Sequence, residues 1–386
     1  MQRLPAMGTV ATSPLKVRGK GNKKVERSHQ ATEMTELEPE VGMRKMVPVY
    51  EAVGMVLCHD LTEIVPGRSK GRAFKKGHVV EPEDVQRLLN MGKEHLYVLN
   101  LDSGIIHEDD AAMRIAQAAS GPGITTSEPV EGRVNMAAAS KGLLKINVEA
   151  LNQVNQIQNV VLGTLHTNQQ VIKGRVVAAT RIIPLVMEVE KIELVEEVCR
   201  ENYPLVQIKP FASLKVGIVT TGSEVYHGRI EDGFGPVLRA KFAELGSEIL
   251  RQVLVSDRVS MTVQAIHDLL AEGAQIVAVT GGMSVDPDDQ TPLSIREAGG
   301  RVVAYGAATF PGAMFMLAYI GDVPILGLPA CVMYHKASIF DLVVPRILAG
   351  ETVTRADLVA LGHGGLCALC PECRYPLCGF GKTASG

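Results

Sequence analysis

The sequence predicts an α/β fold over residues 211–350, a parallel sheet with helices on both faces. A smaller mixed α/β region precedes it and a short Cys-rich tail follows. Three observations carry this. Short aliphatic runs alternate with helix-periodic segments, the pattern of strands joined by crossover helices. Two of those runs stop at glycine-bearing loops. The composition is aliphatic, with 46% hydrophobic residues, 8 Phe and no Trp, and Val, Ile and Leu are what fills a sheet covered on both sides.

The elements follow in order. Residues 215–220, KVGIVT, read as a strand that runs into Thr221-Gly222-Ser223-Glu224-Val225. Val237, Leu238, Phe242, Leu245 and Ile249 recur at helical spacing, and Gly246 marks the end of that helix. A strand over 249–255 leads to Ser256-Asp257. Val263, Ile266, Leu269 and Leu270 line one face of the next helix, which Gly273 closes. The apolar run 276–279 ends at Gly281-Gly282, with Ser284, Asp286, Asp288 and Asp289 just beyond. Residues 302–305 and 323–328 read as two more strands, and 332–348 as the last helix.

Ligands of a parallel sheet sit outside the carboxyl ends of its strands. Glycines there let a ligand reach the main chain, and carboxylates there hold a hard cation such as Mg²⁺. Gly and Asp also populate ordinary surface turns, so either loop alone reads both ways. Together, 221–224 and 281–289 favour a site.

These residues resemble the molybdopterin-binding domain of MoeA-type molybdotransferases and their relatives. The resemblance rests on five ordered segments. They are Thr221-Gly222-Ser223-Glu224, then Asp257, then Gly281-Gly282-Met283-Ser284 through Asp289, then Phe310-Pro311-Gly312, then Leu328-Pro329-Ala330-Cys331-Val332. Residues 71–98 are similar to the segment that precedes this domain in the same family. The resemblance implies that molybdopterin, free or adenylylated, is held by Thr221, Gly222, Ser223, Gly281, Gly282, Ser284, Asp288, Pro311, Gly312 and Pro329. It implies Glu224, Asp257 and Asp289 as catalytic carboxylates on Mg²⁺, molybdate as the incoming group, and a homodimer. Departures are clear. Ser223 stands where the family has Asp, Ala313-Met314 offers no Lys, and 330–332 lack the family's Gly, Asn and Pro. The ending Pro287-Asp288-Asp289-Gln290-Thr291 looks more like CinA-type relatives, which hydrolyse nucleotides.

The rest of the chain is divided as follows. Residues 1–42, a basic run and then an acidic one without apolar periodicity, are expected to be disordered. Residues 43–101 form the N-terminal segment, with a first strand-like stretch at 45–56. Residues 102–210 form a mixed α/β domain, with helices expected at 108–119 and 148–162, a β-rich stretch at 171–183 and a helical turn at 192–198. Arg133, Lys173, Arg175 and Arg181 could face a phosphate, though solvated surface is the ordinary fate of each.

Residues 351–386 hold four of the seven cysteines. Cys367, Cys370, Cys373 and Cys378 are spaced C-x2-C-x2-C-x4-C. Such tight spacing points to a metal in a reducing compartment, and zinc and an iron–sulfur cluster both fit it. Reactive or disulfide-forming thiols are the other reading. The net charge of −3 argues against nucleic-acid binding, and no apolar run has the length of a membrane span. A cytoplasmic site is expected.

Three functions remain open. The first is a transferase promoting Mg-dependent molybdate insertion in molybdenum cofactor biosynthesis. The second is a carrier that hands the cofactor to a molybdoenzyme. The third is a nucleotide pyrophosphatase.

Overall fold

The computed structural model describes residues 44–65, 69–99, 104–284 and 289–382. The expected disordered extension 1–42 lies outside the described residues, as do Asp286 and Asp288 of the third loop.

A six-stranded sheet organises the region from 215 onward. In chain order it runs β1 (Lys215–Thr221), α1 (Ser223–Tyr226), α2 (Phe234–Glu244), β2 (Glu248–Val255), α3 (Val259–Ala271), β3 (Ile276–Thr280) and α4 (Thr291–Glu297). Then come β4 (Arg301–Tyr305), β5 (Met316–Ile320), β6 (Val323–Leu328), α5 (Cys331–Tyr334), α6 (Ile339–Leu348) and α7 (Arg355–Ala360). The spatial order is β2-β1-β3-β6-β5-β4. The first three pairings are parallel and the last two antiparallel.

Side-chain alternation sets which helix covers which face. Val216, Ile218, Ile276, Ala278, Leu326 and Leu328 pack with Leu238 of α2 and Phe340 of α6. Val219, Val277, Val279 and Ile325 pack on the other side with Ile266 of α3 and Ile295 of α4. Burying one such aliphatic side chain contributes about 1.5–3 kcal/mol, against about 1 kcal/mol net for a typical hydrogen bond. The aliphatic pattern therefore dominates the choice of register. In that register Thr220 faces Thr280 and Thr280 faces Leu328. The loops after β1, β3 and β6 thus leave the sheet at one edge.

The structure departs from the sequence expectation in several places. The sheet is parallel only through its first four strands. β5, not foreseen, is buried over residues 316–319 and shows no polar alternation to mark it as a strand. α4 and α7 were also not foreseen. The helix expected at 332–348 is two helices, because Ser338 starts α6 with a capping box to Asp341. The helix expected at 148–162 stops at Gln156, and Val160–Thr164 is a strand. Asn155 closes that turn, its amide bonding both the N–H and the carbonyl of Leu162. The stretch expected at 45–56 is a strand over Arg44–Pro48 and again from Val56, with a 3-10 turn at Val49–Glu51 between them. The expected turn at 192–198 is a helix, Val189–Glu201.

The middle region has one shared core under two antiparallel sheets. Four strands, Val160–Thr164, Val176–Ile182, Val134–Ala138 and Ile124–Thr126, form one; Gln169–Val171, Gly142–Ile146 and Val206–Pro210 form the other. It meets the sheet domain through Glu351, just past α6. The Glu351 carboxylate takes Lys145 at 2.6 Å, Lys209 at 3.7 Å and Arg346 at 2.8 Å, and Arg346 also holds Asp357 at 2.7 Å. Upstream, Arg44–Pro48, His95–Leu99 and Val56–Leu57 form a three-stranded sheet.

Beyond α7 the chain runs in turns to residue 382 with one parallel bridge, Leu366 to Phe310. Among the described residues no helix is long and apolar enough to cross a membrane.

Candidate functional site

The carboxyl edge of the parallel strands is where the predicted residues gather. β1 ends at Thr221, and Gly222 (φ 146°) turns the chain into α1. The Gly222 N–H donates to the Val255 carbonyl at 3.1 Å, which ties this loop to the end of β2. Next to it the Ser223 N–H donates to Asp257 Oδ2 at 2.8 Å. Glu224 is exposed, with its carboxylate folded back towards Gly222.

The Gly281-Gly282 end of the 281–289 loop is locked onto the 221–224 loop. Gly281 has a φ of 83°, and a Cβ built on it would lie 2.2 Å from the Thr221 carbonyl oxygen. Only glycine fits that approach. Thr291 at the start of α4 donates through Oγ1 to the Gly281 carbonyl at 2.8 Å, and its N–H donates to the Gly282 carbonyl at 3.2 Å. The Thr221 and Thr291 hydroxyls are 3.5 Å apart and buried. Thr221, Gly222, Ser223, Asp257, Gly281 and Gly282 are thus one connected patch.

The other predicted residues stand differently. Ser284 is exposed, and Asp289 is half-buried beside the undescribed stretch that includes Asp288. Pro311 is tied to α6, since the Ile339 N–H donates to its carbonyl at 3.2 Å, and Gly312 packs against the Ile339 side chain. Pro329 accepts from the Val332 N–H at 3.0 Å and so starts α5.

The metal expectations meet a limit. Among the described residues, no group of three or more His, Cys, Asp or Glu side chains stands ready to hold a metal ion. Glu224, Asp257 and Asp289 are not gathered as a Mg²⁺ ligand set. Asp257 is instead held to the first loop, where its Oδ2 accepts the Ser223 N–H. The four tail thiols are likewise not drawn together round a point, and all four are free.

Sequence reading missed part of the support. Asp232 accepts the Phe234 and Gly235 N–H groups at the start of α2, at 2.9 and 3.0 Å. Gln252 of β2 donates to both Asp232 Oδ2 and Thr220 Oγ1. Asp232 followed by Gly233 and Gly235 was the available signal, a helix start with close backbone approach. Of the basic candidates, Arg181 faces the buried Glu108 at 3.8 Å, and Arg133 donates to Asn135. Burial pushes the Glu108 carboxyl above its usual range.

The tail hangs beside the Pro311 loop. The Cys367 N–H donates to the Phe310 carbonyl and the Phe310 N–H to the Gly365 carbonyl, each at 2.8 Å. Half-buried Tyr375 donates to the Asp341 carbonyl at 2.7 Å and meets Gln170 of the middle region. Burial, with Asp341 nearby, pushes its phenol well up, so it remains a donor.

Residues 217–349 match the family model described as "Probable molybdopterin binding domain". The sheet region is therefore a molybdopterin-binding domain of α/β type, and it carries CinA-like features. Among curated proteins, a CinA-like protein of Mycobacterium sp. (strain MCS) is 34% identical over 89 residues, 23% of this chain and 21% of its own length. One of Mycolicibacterium gilvum (strain PYR-GCK) is 35% identical over 79 residues, 20% of this chain and 19% of its own. The similar stretch spans about a fifth of the length of these curated relatives. Among solved structures, the molybdopterin biosynthesis enzyme MoaB of Thermus thermophilus is 20% identical, covering 36% of this chain and 98% of its own, with a TM-score of 0.29. The tungsten cofactor synthesizing protein MoaB of Pyrococcus furiosus is 22% identical, covering 35% and 91%, with a TM-score of 0.29. Residues 46–100 match "Domain of unknown function (DUF8806)".

Proposed function

We propose that this chain binds molybdopterin, free or adenylylated, across the loops at 221–224 and 281–289, and acts in molybdenum cofactor biosynthesis. One observation carries the reading. Within the segment that matches the molybdopterin-binding family, Gly281 is pressed onto Thr221 and latched by Thr291, so two glycine-bearing loops form one preset surface. Glycine main chain at a strand end lets a pyrophosphate approach the backbone without side-chain obstruction. Ser284, Asp288, Pro311, Gly312 and Pro329 are the further residues proposed to contact the ligand.

The activity proposed on this surface is transferase-like: the two dithiolene thiols replace one oxo group of molybdate, which leaves as water, and a water molecule cleaves the pyrophosphate so that AMP leaves. Glu224, Asp257 and Asp289 are the proposed catalytic carboxylates. Because they are not gathered as a ligand set, no step is assigned to Mg²⁺. A homodimer and a cytoplasmic site of action belong to the same proposal, and delivery of the cofactor to a molybdoenzyme belongs to the alternative of a non-catalytic carrier.

The test is calorimetric titration of the full chain, kept free of oxygen, with molybdopterin and with its adenylylated form. One ligand per chain is expected, with molybdate-dependent release of AMP from the adenylylated form. A folded protein that binds neither pterin ends the reading. The CinA-like similarity favours a second reading, nucleotide pyrophosphatase activity. Release of AMP from ordinary dinucleotides without molybdate would select it.

A further inference from the structure

The four tail cysteines carry chemistry that the pterin reading leaves unused. Cys367, Cys370, Cys373 and Cys378 all line a single cavity of about 400 Å³, together with Tyr334 and His335 from the end of α5. All four are free thiols; Cys370 and Cys373 are exposed and the other two half-buried. Cys58 and Cys199 differ: both are buried in cores, where a small apolar side chain is all that packing needs.

The peptide that carries the thiols is anchored at its ends. Cys367 is hydrogen-bonded to Phe310 at one end, and the Gly381 N–H donates to the Gly364 carbonyl at 2.9 Å at the other. Between them Tyr375 is anchored on Asp341, and its ring meets the buried Phe380 edge-on, with centroids 6.2 Å apart. The four sulfurs line one cavity but are not drawn together round a point, so ligation requires the segment between the anchored ends to rearrange. Core packing does not explain four partly exposed thiols within twelve residues, and no disulfide uses them. Soft sulfur donors in this number select zinc, copper(I) or iron over hard cations.

We propose that this cavity is a thiolate site for a soft transition-metal ion, with Cys367, Cys370, Cys373 and Cys378 as ligands. Each thiol gives its proton to solvent as it ligates, so binding strengthens as pH rises. The site stands apart from the pterin reading and needs no pterin for its test.

The probe is cobalt(II), titrated into the reduced, metal-free full chain under argon. One equivalent is expected to give sulfur-to-cobalt charge-transfer bands and the intense visible bands of a tetrahedral sulfur site, and zinc is expected to displace it. Four thiols per chain should then become protected from a thiol reagent. In a Cys370→Ser/Cys373→Ser variant the bands should vanish; both residues are exposed, so the metal-free variant should keep its melting temperature. Reconstitution with ferric iron, sulfide and a thiol reductant to a stable cluster supports the same four ligands and names iron as the metal. Absence of sulfur charge transfer with every metal tried, or binding unchanged in the double variant, overturns the proposal. So does a disulfide among the four thiols in protein isolated without oxygen.

Discussion

The glycine loops at the strand ends and the cysteine tail are both dense in chemistry, yet they are built in opposite ways. In the loops the backbone itself forms the surface: Gly281 touches Thr221, and Thr291 latches them. In the tail the backbone is held at Phe310, Asp341 and Gly364, while the reactive side chains hang into a shared cavity. The described ends of the two loops are already in contact without a ligand. The tail is a frame whose reactive groups still have to close. Pre-organisation belongs to the first, and an ordering step to the second.

The largest expected effect tests the support that both share. Glu351 joins the middle region to α6 by holding Lys145, Lys209 and Arg346. Glu351→Ala leaves the half-buried Lys145 and Arg346 each short of a charge-assisted hydrogen bond, and its expected cost is about 3 kcal/mol in urea unfolding. pH probes the same group. Burial pushes the Glu351 carboxyl up, but hydrogen bonds from Lys145 and Arg346 outweigh it and hold it below the ordinary 4.5. Its stabilisation is therefore fully present above about pH 4.5 and fades as pH falls through the lower folded value. Glu351→Gln should flatten that acid limb of stability against pH.

Gly281→Ala comes next. The substitution combines a positive φ with a Cβ on the Thr221 carbonyl, for an expected loss of about 2–3 kcal/mol and loss of pterin binding. Unchanged pterin affinity in this variant would break the claim that the loops are preset. Tyr375→Phe removes a buried hydroxyl that bridges Gln170 and Asp341, at about 1–2 kcal/mol. Hydrogen exchange should quicken in 367–382 while the glycine loops stay protected. Thr291→Val is the smallest, about 1 kcal/mol from the lost bond to the Gly281 carbonyl. It should weaken pterin binding more than it lowers the melting temperature.

Legibility in the sequence follows the same divide. β1, β3 and β6 showed as aliphatic runs, and the loops after β1 and β3 were marked by glycine because the surface there is main chain. β5 stayed hidden because a strand buried on both faces has no alternation and lies just past Pro311-Gly312, which reads as a loop. The break between α5 and α6 depends on Ser338 capping onto Asp341, whose carboxylate also holds Lys241 at 2.8 Å. That partner is remote in sequence. The latch by Thr291 and the Asp232–Gln252–Thr220 chain were hidden for the same reason. The cysteine spacing was plain, but whether the sulfurs meet depends on how the segment between the anchors rearranges, which spacing does not determine.

Tyr375 makes contact with two bodies at once, Gln170 from the middle region and Asp341 from α6. Its seat exists only when those two surfaces have come together. Proteolytic resistance of the cysteine segment therefore works as a gauge of whether the neighbouring bodies are correctly mated, and any shift between them would be felt first by the thiols.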